Sequence, residues 1–198
     1  MRTPGIEVVR VEAWLDVDAP PAVPSVLSVH VPPGRDGMRV GAARNAAAAL
    51  ALDHGVDLLV FLDVDCLPGP DLLERYVDAA RDHPHDLLCG PVTYLHSVQR
   101  PSRMVDLGTM TRPHPARPLP PDGDVVTATD DEFDLFWSLS FAVTAETWTR
   151  LGGFDEAYEG YGAEDTDLGR RARSLGMRVQ WVGGAHAYHQ WHPAGSPP

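Results

Sequence analysis

The sequence places two aspartates, separated by one valine, directly after its most apolar segment, LLVFL at residues 58–62. Alternate side chains of an extended strand share a face, which would put Asp63 and Asp65 on one side and Val64 on the other. Two carboxylates that close repel each other unless a proton or a cation lies between them, and a hard divalent ion would remove the repulsion. The alternative is that one aspartate caps the following turn while the other is solvated. The tripeptide alone leaves both interpretations open.

A second group of carboxylates begins the helix predicted over residues 163–175. The apolar stripe of this helix consists of Leu168, Ala172 and Leu175. Asp165 continues the stripe, so its carboxylate is expected to point toward the protein interior, with Glu164 beside it. The helix dipole and the free amides of the first turn keep such a carboxylate ionised, as a general base requires. The alternative is an ordinary acidic first turn in which Asp165 is a helix cap.

Three histidines follow the last predicted strand in the heptapeptide HAYHQWH, namely His186, His189 and His192. Histidine is the commonest nitrogen ligand of transition metals, and three within seven residues indicate a metal site more strongly than one does. Tryptophans lie nearby at Trp181 and Trp191, with Trp137 on an earlier strand. Such rings could stack on sugar rings at a polar site, although packing in the core is the commoner fate of a tryptophan.

The composition limits the classes of function. The 198 residues suffice for one domain, and the net charge of −12 argues against nucleic-acid binding because it repels phosphates. Cys66 and Cys89 match neither a disulfide framework nor the spacing of a zinc site. No apolar run approaches the roughly 20 residues of a membrane span, and MRTPGIEVVR lacks the apolar segment of a signal peptide. We therefore expect a cytoplasmic protein, either free or peripheral at the inner membrane face.

Alternating strand and helix patterns would position these groups. β-branched residues predict strands over residues 6–13 and 26–31, and LLVFL predicts a third, which would be buried on both faces if it is central in its sheet. Helices are predicted over residues 41–53 and from Pro70 to about Arg81. This order is typical of an α/β domain with a mostly parallel central sheet flanked by helices.

The second half of the chain is less regular. Strands are predicted over residues 86–95, 136–143 and 177–182, and helices over residues 144–151, ended by Gly152 and Gly153, and 163–175. The proline-rich residues 97–124 show little periodicity and predict a flexible surface loop, because structure resumes beyond them. Residues 190–198 form a tail. The whole chain, residues 1–198, is therefore predicted to be one domain.

Taken together, these motifs resemble the glycosyltransferase A-fold (GT-A) enzymes of family 2. The stretches that carry the resemblance are GAARNAAAALA, the aspartate pair in FLDVDCLP, LSFAVTAETWTRLGGFDEAYEGYGAEDTDLGRRARSLG and YHQWHP. The second half is also similar to the galactosyltransferase-type C-terminal region of β-1,4-galactosyltransferases and polypeptide N-acetylgalactosaminyltransferases. The resemblance implies a GT-A fold and a metal-dependent, inverting transfer of a sugar from a nucleotide-diphosphate donor, with a UDP-sugar favoured, to a hydroxyl group of a saccharide or other acceptor.

The resemblance also implies roles on the donor side. Asp63 would contact the ribose of the donor, and Arg44 and Asn45, in the ARN positions, would lie near the nucleotide. Asp65 would bind the divalent ion that bridges the diphosphate. His189 would complete the metal shell, with His192 as the alternative ligand. A mixed carboxylate and imidazole shell favours Mn²⁺ over Mg²⁺.

On the acceptor side, the resemblance implies that Glu164 hydrogen-bonds the acceptor sugar and that Asp165 removes the proton from its attacking hydroxyl. Trp137 and Tyr161 would also bind the acceptor. Tyr161 stands where the related galactosyltransferases carry tryptophan, and Ala163 stands where they carry glycine.

The start of the chain departs from the family pattern. Family 2 domains open with a strand and loop resembling V-S-V-I-P, whereas residues 6–14 resemble the second strand of the family, with Glu12 where an aspartate often stands. We expect the first strand to be missing, which would leave an apolar sheet edge beside residues 6–11 and weaken the binding of UDP. A version of the chain extended upstream would then be more stable.

Two other functions compete with this interpretation. One is a truncated, non-catalytic homologue that binds sugar or metal. The other is a sugar-phosphate nucleotidyltransferase, which shares the α/β plan and an acidic metal site but needs a glycine-rich signature with a basic residue near the start. The complete absence of lysine from the sequence counts against the second alternative.

Overall fold

The computed structural model of the chain describes residues 5–21, 23, 26–96, 113–160 and 162–192. The strands are β1 (Val11–Trp14), β2 (Leu27–His30), β3 (Leu58–Leu62), β4 (Cys66–Pro68), β5 (Leu87–Cys89), β6 (Val92–Tyr94), β7 (Val125–Thr127), β8 (Ser140–Thr144), β9 (Val179–Val182) and β10 (Ala187–His189). The helices are α1 (Val40–Asp53), α2 (Leu72–Asp82), α3 (Ala145–Leu151) and α4 (Glu164–Ser174), with one 3₁₀ helix at Asp130–Leu135.

The largest sheet has five strands in the order β3-β8-β5-β9-β7. Strands β3, β5 and β9 run in one direction, while β8 and β7 run against them. The sheet is therefore mixed rather than mostly parallel, because β8 is inserted between two parallel strands. The predicted α/β class is confirmed.

The first two strands form a separate parallel pair, with Val11 opposite Leu27. Helix α1 packs across both strands and also contacts β3. Strand β3 lies at the edge of the five-stranded sheet, where β8 is its neighbour, and Leu59 is its one buried residue. Strand β3 was expected to be buried on both faces if it were central in its sheet. In the described part of the chain it is not central, so this condition is not met.

Helices cover both faces of the five-stranded sheet. Helices α1, α3 and α4 share one apolar cluster, in which Phe61 of β3 stacks on Phe141 of β8 at 4.5 Å between ring centroids. Helix α2 packs on the opposite face. Leu168 and Ala172 are fully buried, as the predicted stripe requires, but Leu175 is 42% exposed because α4 ends one residue before it.

A third sheet, in the order β4-β10-β6, lies beside the end of β3. The single strand predicted over residues 86–95 is wrong: it splits into β5 and β6, which belong to different sheets. The break falls at Gly90 and Pro91, because Pro91 has no amide hydrogen and the amide of Gly90 donates to the Tyr76 hydroxyl at 2.9 Å. The small sheet brings residue 65 next to the end of β10.

Part of the predicted flexible loop is packed into the fold. Residues 97–112 lie outside the described residues, whereas residues 113–124 are described and include Arg117, which is only 5% exposed. The described residues 113–124 form a loop that is mostly exposed, but the Arg117 side chain is buried and donates to the backbone carbonyls of Leu135 and Trp137. The flexibility of the segment stays a prediction. No described helix is long and apolar enough to cross a membrane.

Candidate active site

The two aspartates after β3 point to different partners. The strand ends at Leu62, and the amide of Cys66 donates to the carbonyl oxygen of Asp63 at 2.9 Å, which closes a turn. Val64, at the tip of this turn, is 83% exposed. Asp63 turns toward α1 and Asp65 toward β10. The expectation of strand-like alternation is wrong here because the extended backbone stops before the first aspartate.

Asp65 lies beside two of the three histidines. The Nε2 atoms of His189 and His192 are 3.3 Å and 3.4 Å from its Oδ2 atom. One potential ligand atom from each of these three residues lies within 4.8 Å of the others. The amide of Gln190 donates to the Asp65 carbonyl at 2.7 Å, which fixes the two segments together. The cluster of Asp65, His189 and His192 is a candidate site for a divalent metal ion.

Arg44 joins Asp63 to the acidic start of α4. Its Nη2 atom is 2.6 Å from Oδ1 of Asp63, and its Nη1 atom is 3.9 Å from Oε1 of Glu164 and 3.7 Å from Oδ1 of Asp165. Burial raises the pKa of Asp63, although the charge of Arg44 opposes this effect. Burial also raises the pKa of Glu164. One guanidinium therefore balances three carboxylates in a partly buried site.

Asp165 is held by a neighbouring segment rather than by its own helix. Its Oδ2 atom accepts a hydrogen bond from the amide of Ser138 at 3.0 Å, while Oδ1 is buried without a hydrogen-bond partner. The residue before α4, Ala163, has a left-handed φ of 72° and provides no side-chain cap. The arrangement differs from a simple helix cap, because the carboxylate belongs to α4 but accepts its hydrogen bond from Ser138, and its other oxygen atom makes no hydrogen bond.

Asn45 links α1 to the segment GGFDE. Its side-chain amide donates to the Phe154 carbonyl at 2.9 Å and to Glu156 at 3.0 Å, and its oxygen accepts from the Phe154 amide at 2.8 Å. These bonds use most of the capacity of the amide group. Asn45 therefore fixes helix α1 against this segment. The neighbouring residue on α1, Arg44, is the one whose side chain reaches the site.

A row of rings extends from the cluster of Asp65, His189 and His192 to Trp137. Centroid distances along it are 4.7 Å from His189 to Tyr94, 5.9 Å from Tyr94 to His114 and 5.0 Å from His114 to Trp137. The structure thus brings Trp137 near the base candidate, since the amide of the next residue, Ser138, bonds to Asp165. Tyr161, also predicted to bind the acceptor, lies outside the described residues.

Sequence reasoning missed His114, Arg117 and Ser138. His114 and Arg117 occupy the proline-rich region without periodicity, and Ser138 contributes only a backbone amide, which every residue except proline has. Their places depend on contacts between distant segments. The one available signal for His114 and Arg117 was that histidine, arginine and proline cluster in PHPAR at residues 113–117. That segment was predicted to be part of a loop.

His186 stands apart from the metal-type cluster. Its Nε2 atom is 2.6 Å from the hydroxyl of Thr93, and its ring stacks on Tyr188 with centroids 4.4 Å apart. Burial lowers its pKa from 6.5 to about 4. The neutral ring is therefore part of the fold, and His186 lies outside the cluster of Asp65, His189 and His192.

We expect His186 to make the fold sensitive to acid. Below pH 6.5 the unfolded chain takes up a proton at this ring and the folded chain does not until about pH 4, so the free energy of unfolding falls across that window. The loss should be about 1–2 kcal/mol, less than the full shift implies because the ring is partly exposed. His186→Gln keeps a hydrogen bond to Thr93 without titrating. Thermal unfolding of both proteins at several pH values should show a shallower decline for the variant, and parallel curves would contradict the assignment.

Comparisons with known proteins identify two matching family models and several similar proteins. A family model described as glycosyl transferase family 2 matches residues 28–132, and one described as the N-terminal domain of galactosyltransferase matches residues 128–193. Validoxylamine A glucosyltransferases from Streptomyces hygroscopicus subsp. jinggangensis (strain 5008) and subsp. limoneus are each 30% identical to the chain over 178 residues. The matches cover 78% of this chain but only 40% and 38% of those proteins. The chain thus spans about two fifths of the length of these relatives.

Two solved structures share the fold. A crystal structure of GalNAc-T7 with UDP, GalNAc and Mn²⁺ matches with a TM-score of 0.57 and 15% identity, over 86% of this chain and 33% of that one. A crystal structure of S. aureus TarS 1-349 in complex with UDP-GlcNAc matches with a TM-score of 0.58 and 16% identity, over 86% of this chain and 43% of that one. These likenesses confirm the predicted GT-A fold. The family model that covers residues 28–132, more than half of the sequence, shows that the chain belongs to glycosyltransferase family 2.

Proposed function

We propose that the chain carries the active site of a metal-dependent, inverting glycosyltransferase that moves a sugar from a UDP-sugar to a hydroxyl group of a saccharide or other acceptor. One observation carries the proposal: the cluster of Asp65, His189 and His192 lies beside the two acidic residues that begin α4. Asp63 and Arg44 connect the two groups, because Arg44 pairs with Asp63 and with both acidic residues. The diphosphate of a donor needs a metal ion, which the cluster could hold, and the hydroxyl of an acceptor needs a base, which the acidic residues could supply. Both relatives named above are glucosyltransferases, and both structural neighbours were solved with UDP or a UDP-sugar.

The residues present fit a divalent metal. Asp65 and the two histidines offer a carboxylate and two imidazoles, and the Oδ1 atom of Asp65 is buried without a hydrogen-bond partner. Such an atom is costly unless a ligand or an ion binds it. A bound divalent ion would neutralise the charge that develops on the departing diphosphate. The mixed ligand set favours Mn²⁺ over Mg²⁺.

The other residues divide between donor and acceptor. Asp63 would hydrogen-bond the ribose, and Arg44 would lie between the nucleotide and the acidic pair, positioned in part by Asn45. Glu164 and Trp137 would bind the acceptor sugar, together with Tyr161. Asp165 would accept the proton of the attacking hydroxyl on its Oδ1 atom, while the Ser138 amide holds Oδ2. A base with one oxygen atom fixed by a hydrogen bond, and the other without a hydrogen-bond partner, suits proton transfer to a positioned side chain.

The test is an assay of UDP release from UDP-glucose, UDP-GlcNAc and UDP-GalNAc with Mn²⁺, with Mg²⁺ and with EDTA. We expect release from at least one donor with Mn²⁺, slower release with Mg²⁺ and none with EDTA. Glucose is the first choice because of the two glucosyltransferase relatives.

The competing functions give different results in the same samples. Saturable binding of UDP with Mn²⁺ but no release from any donor would favour the non-catalytic homologue. Release of pyrophosphate from UTP and a sugar 1-phosphate would favour the nucleotidyltransferase. A cytoplasmic location and a single domain over residues 1–198 stay predictions.

The three histidines should differ in their effect on metal affinity. We expect His189→Ala to weaken Mn²⁺ binding by at least about 10–100-fold, because even outer-shell partners of metal ligands contribute that much and here a ligand is lost. His192→Ala should have a smaller effect, since the side chain of His192 is 34% exposed against 14% for His189. His186→Gln is the matched control and should leave affinity unchanged. Calorimetric titration with Mn²⁺ and UDP measures all three, and a larger loss for His192 than for His189 would reverse their assigned roles.

A further inference from the structure

Arg117 is a cation buried in the interior behind the acceptor side of the site. The residue is 5% exposed, and its Nη1 atom is buried without a hydrogen-bond partner. Burial lowers the pKa of Arg117, and Asp165 is among the groups whose charge opposes that effect. A buried guanidinium carries a large desolvation cost, so its contacts must account for its presence.

Its hydrogen bonds go to two backbone carbonyls. Nε and Nη2 donate to the Leu135 oxygen at 3.0 Å and 2.8 Å, and Nη2 also donates to the Trp137 oxygen at 3.0 Å. The Trp137 carbonyl belongs to the same peptide group as the Ser138 amide. That amide donates to Oδ2 of Asp165. A cation at the oxygen of a peptide group polarises its N–H and strengthens the bond that the N–H donates.

The same guanidinium also fixes the acceptor-side ring. Its Cζ atom lies 4.6 Å from the centroid of Trp137 and 5.4 Å from that of Trp181. His114 meets Trp137 edge-on at 5.0 Å. Stacking of a guanidinium on a tryptophan is favourable, and more so when water is excluded. Trp137 is thus held in place by contacts at both its ring and its carbonyl.

We infer that Arg117 is a positioning residue that fixes the Asp165 carboxylate, through the Trp137–Ser138 peptide group, and the ring of Trp137 in one arrangement. This inference rests on the proposed function of Asp165 and Trp137. The bonds to Leu135 alone are explained by the end of the 3₁₀ helix, whose last carbonyls need donors. The bond to the Trp137 carbonyl and the stacking on the Trp137 ring are not needed for that structural role. They connect Arg117 directly to Trp137 and, through the Ser138 amide, to Asp165.

A double-mutant cycle separates positioning from a structural role. UDP release would be measured for the native chain, Arg117→Lys, Asp165→Asn and the double variant, with UDP-glucose or with the panel donor turned over fastest. Arg171→Lys is the matched control, since Arg171 also donates to two backbone carbonyls, those of Leu151 and Gly153, outside the site. Thermal unfolding and the Kd of UDP with Mn²⁺ would be recorded for every variant.

We expect Arg117→Lys to lower kcat by about 10- to 100-fold with the Kd of UDP changed less than about twofold, because a shifted base loses rate and not donor affinity. In the Asp165→Asn background the same change should alter the residual rate by less than about twofold. Arg171→Lys should show no such coupling.

An equal loss in both backgrounds, or no loss at all, would overturn the inference. If the lysine variant does not fold, Arg117→Gln takes its place in the cycle, because its amide can still donate to a carbonyl. Failure of both variants to fold would make Arg117 a structural residue and overturn the inference as well. Wild-type turnover by Asp165→Asn alone would instead refute the proposed role of Asp165, whatever Arg117 does.

Discussion

Replacing Asp165 by asparagine is expected to reduce turnover by roughly two to four orders of magnitude, the contribution of a positioned general base. The asparagine oxygen can still accept the hydrogen bond from the Ser138 amide, so the local structure should be kept. It cannot accept the proton of an attacking hydroxyl. The measurement is the rate of UDP release under saturating donor, with the Kd of UDP determined separately and expected to stay within about twofold of the native value.

Asp167→Asn is the matched control for this change. Asp167 lies in the first turn of the same helix but pairs with Arg171 at 2.7 Å, away from the site. Its replacement should leave the rate near that of the native chain. If the Asp165 variant instead turned over at the native rate, the residue would only join α4 to the segment at Ser138.

Replacing Asp65 by alanine is expected to abolish the binding of UDP with Mn²⁺, a loss of more than about 100-fold, since even outer-shell partners of metal ligands contribute 10–100-fold. The backbone bond from Gln190 to the Asp65 carbonyl does not depend on the side chain, so the turn should persist. Isothermal titration of UDP in the presence of Mn²⁺ measures the effect.

Asp71→Ala serves as the control for the Asp65 variant. Asp71 is an exposed acidic residue that precedes α2 and makes no side-chain cap bond. The two variants remove the same charge, so long-range electrostatics cancel in the comparison. Equal affinity for UDP with Mn²⁺ in both would show that the cluster around Asp65 does not hold the metal.

Local patterns were sufficient to predict the longer elements. Helix α1 and strand β3 were predicted to within one residue, and α3 ends at Leu151, just before Gly152, whose φ of 80° suits glycine. The short strands β4, β7 and β10 were not predicted, because three residues carry no periodicity and their pairing is set by distant segments. Gly90 and Pro91 indicated the break between β5 and β6, but the apolar residues on both sides of them led to the prediction of one continuous strand.

The candidate site was also predicted only in part from the sequence. The pairing of Asp65 with His189 and His192 followed from residue types and a family resemblance, and the structure brings these three residues together. The orientation of Asp63 toward Arg44 depends on a turn that ends the strand early. The support of Asp165 comes from a backbone amide and that of Trp137 from a buried arginine, neither of which has a sequence signature.

The order of strands in the small sheet has a consequence for folding. Strand β10, the last in the described chain, lies in the middle of that sheet, antiparallel to β4 and parallel to β6. Strands β4 and β6 emerge from the ribosome long before β10 and have no common partner until it arrives. Closing such a long loop is slow, so non-local pairing of this kind is expected late in folding. His189 and His192 would then reach Asp65 only after β10 has been synthesised and has paired with β4 and β6, so a nascent chain could not assemble this cluster before its last described strand is in place.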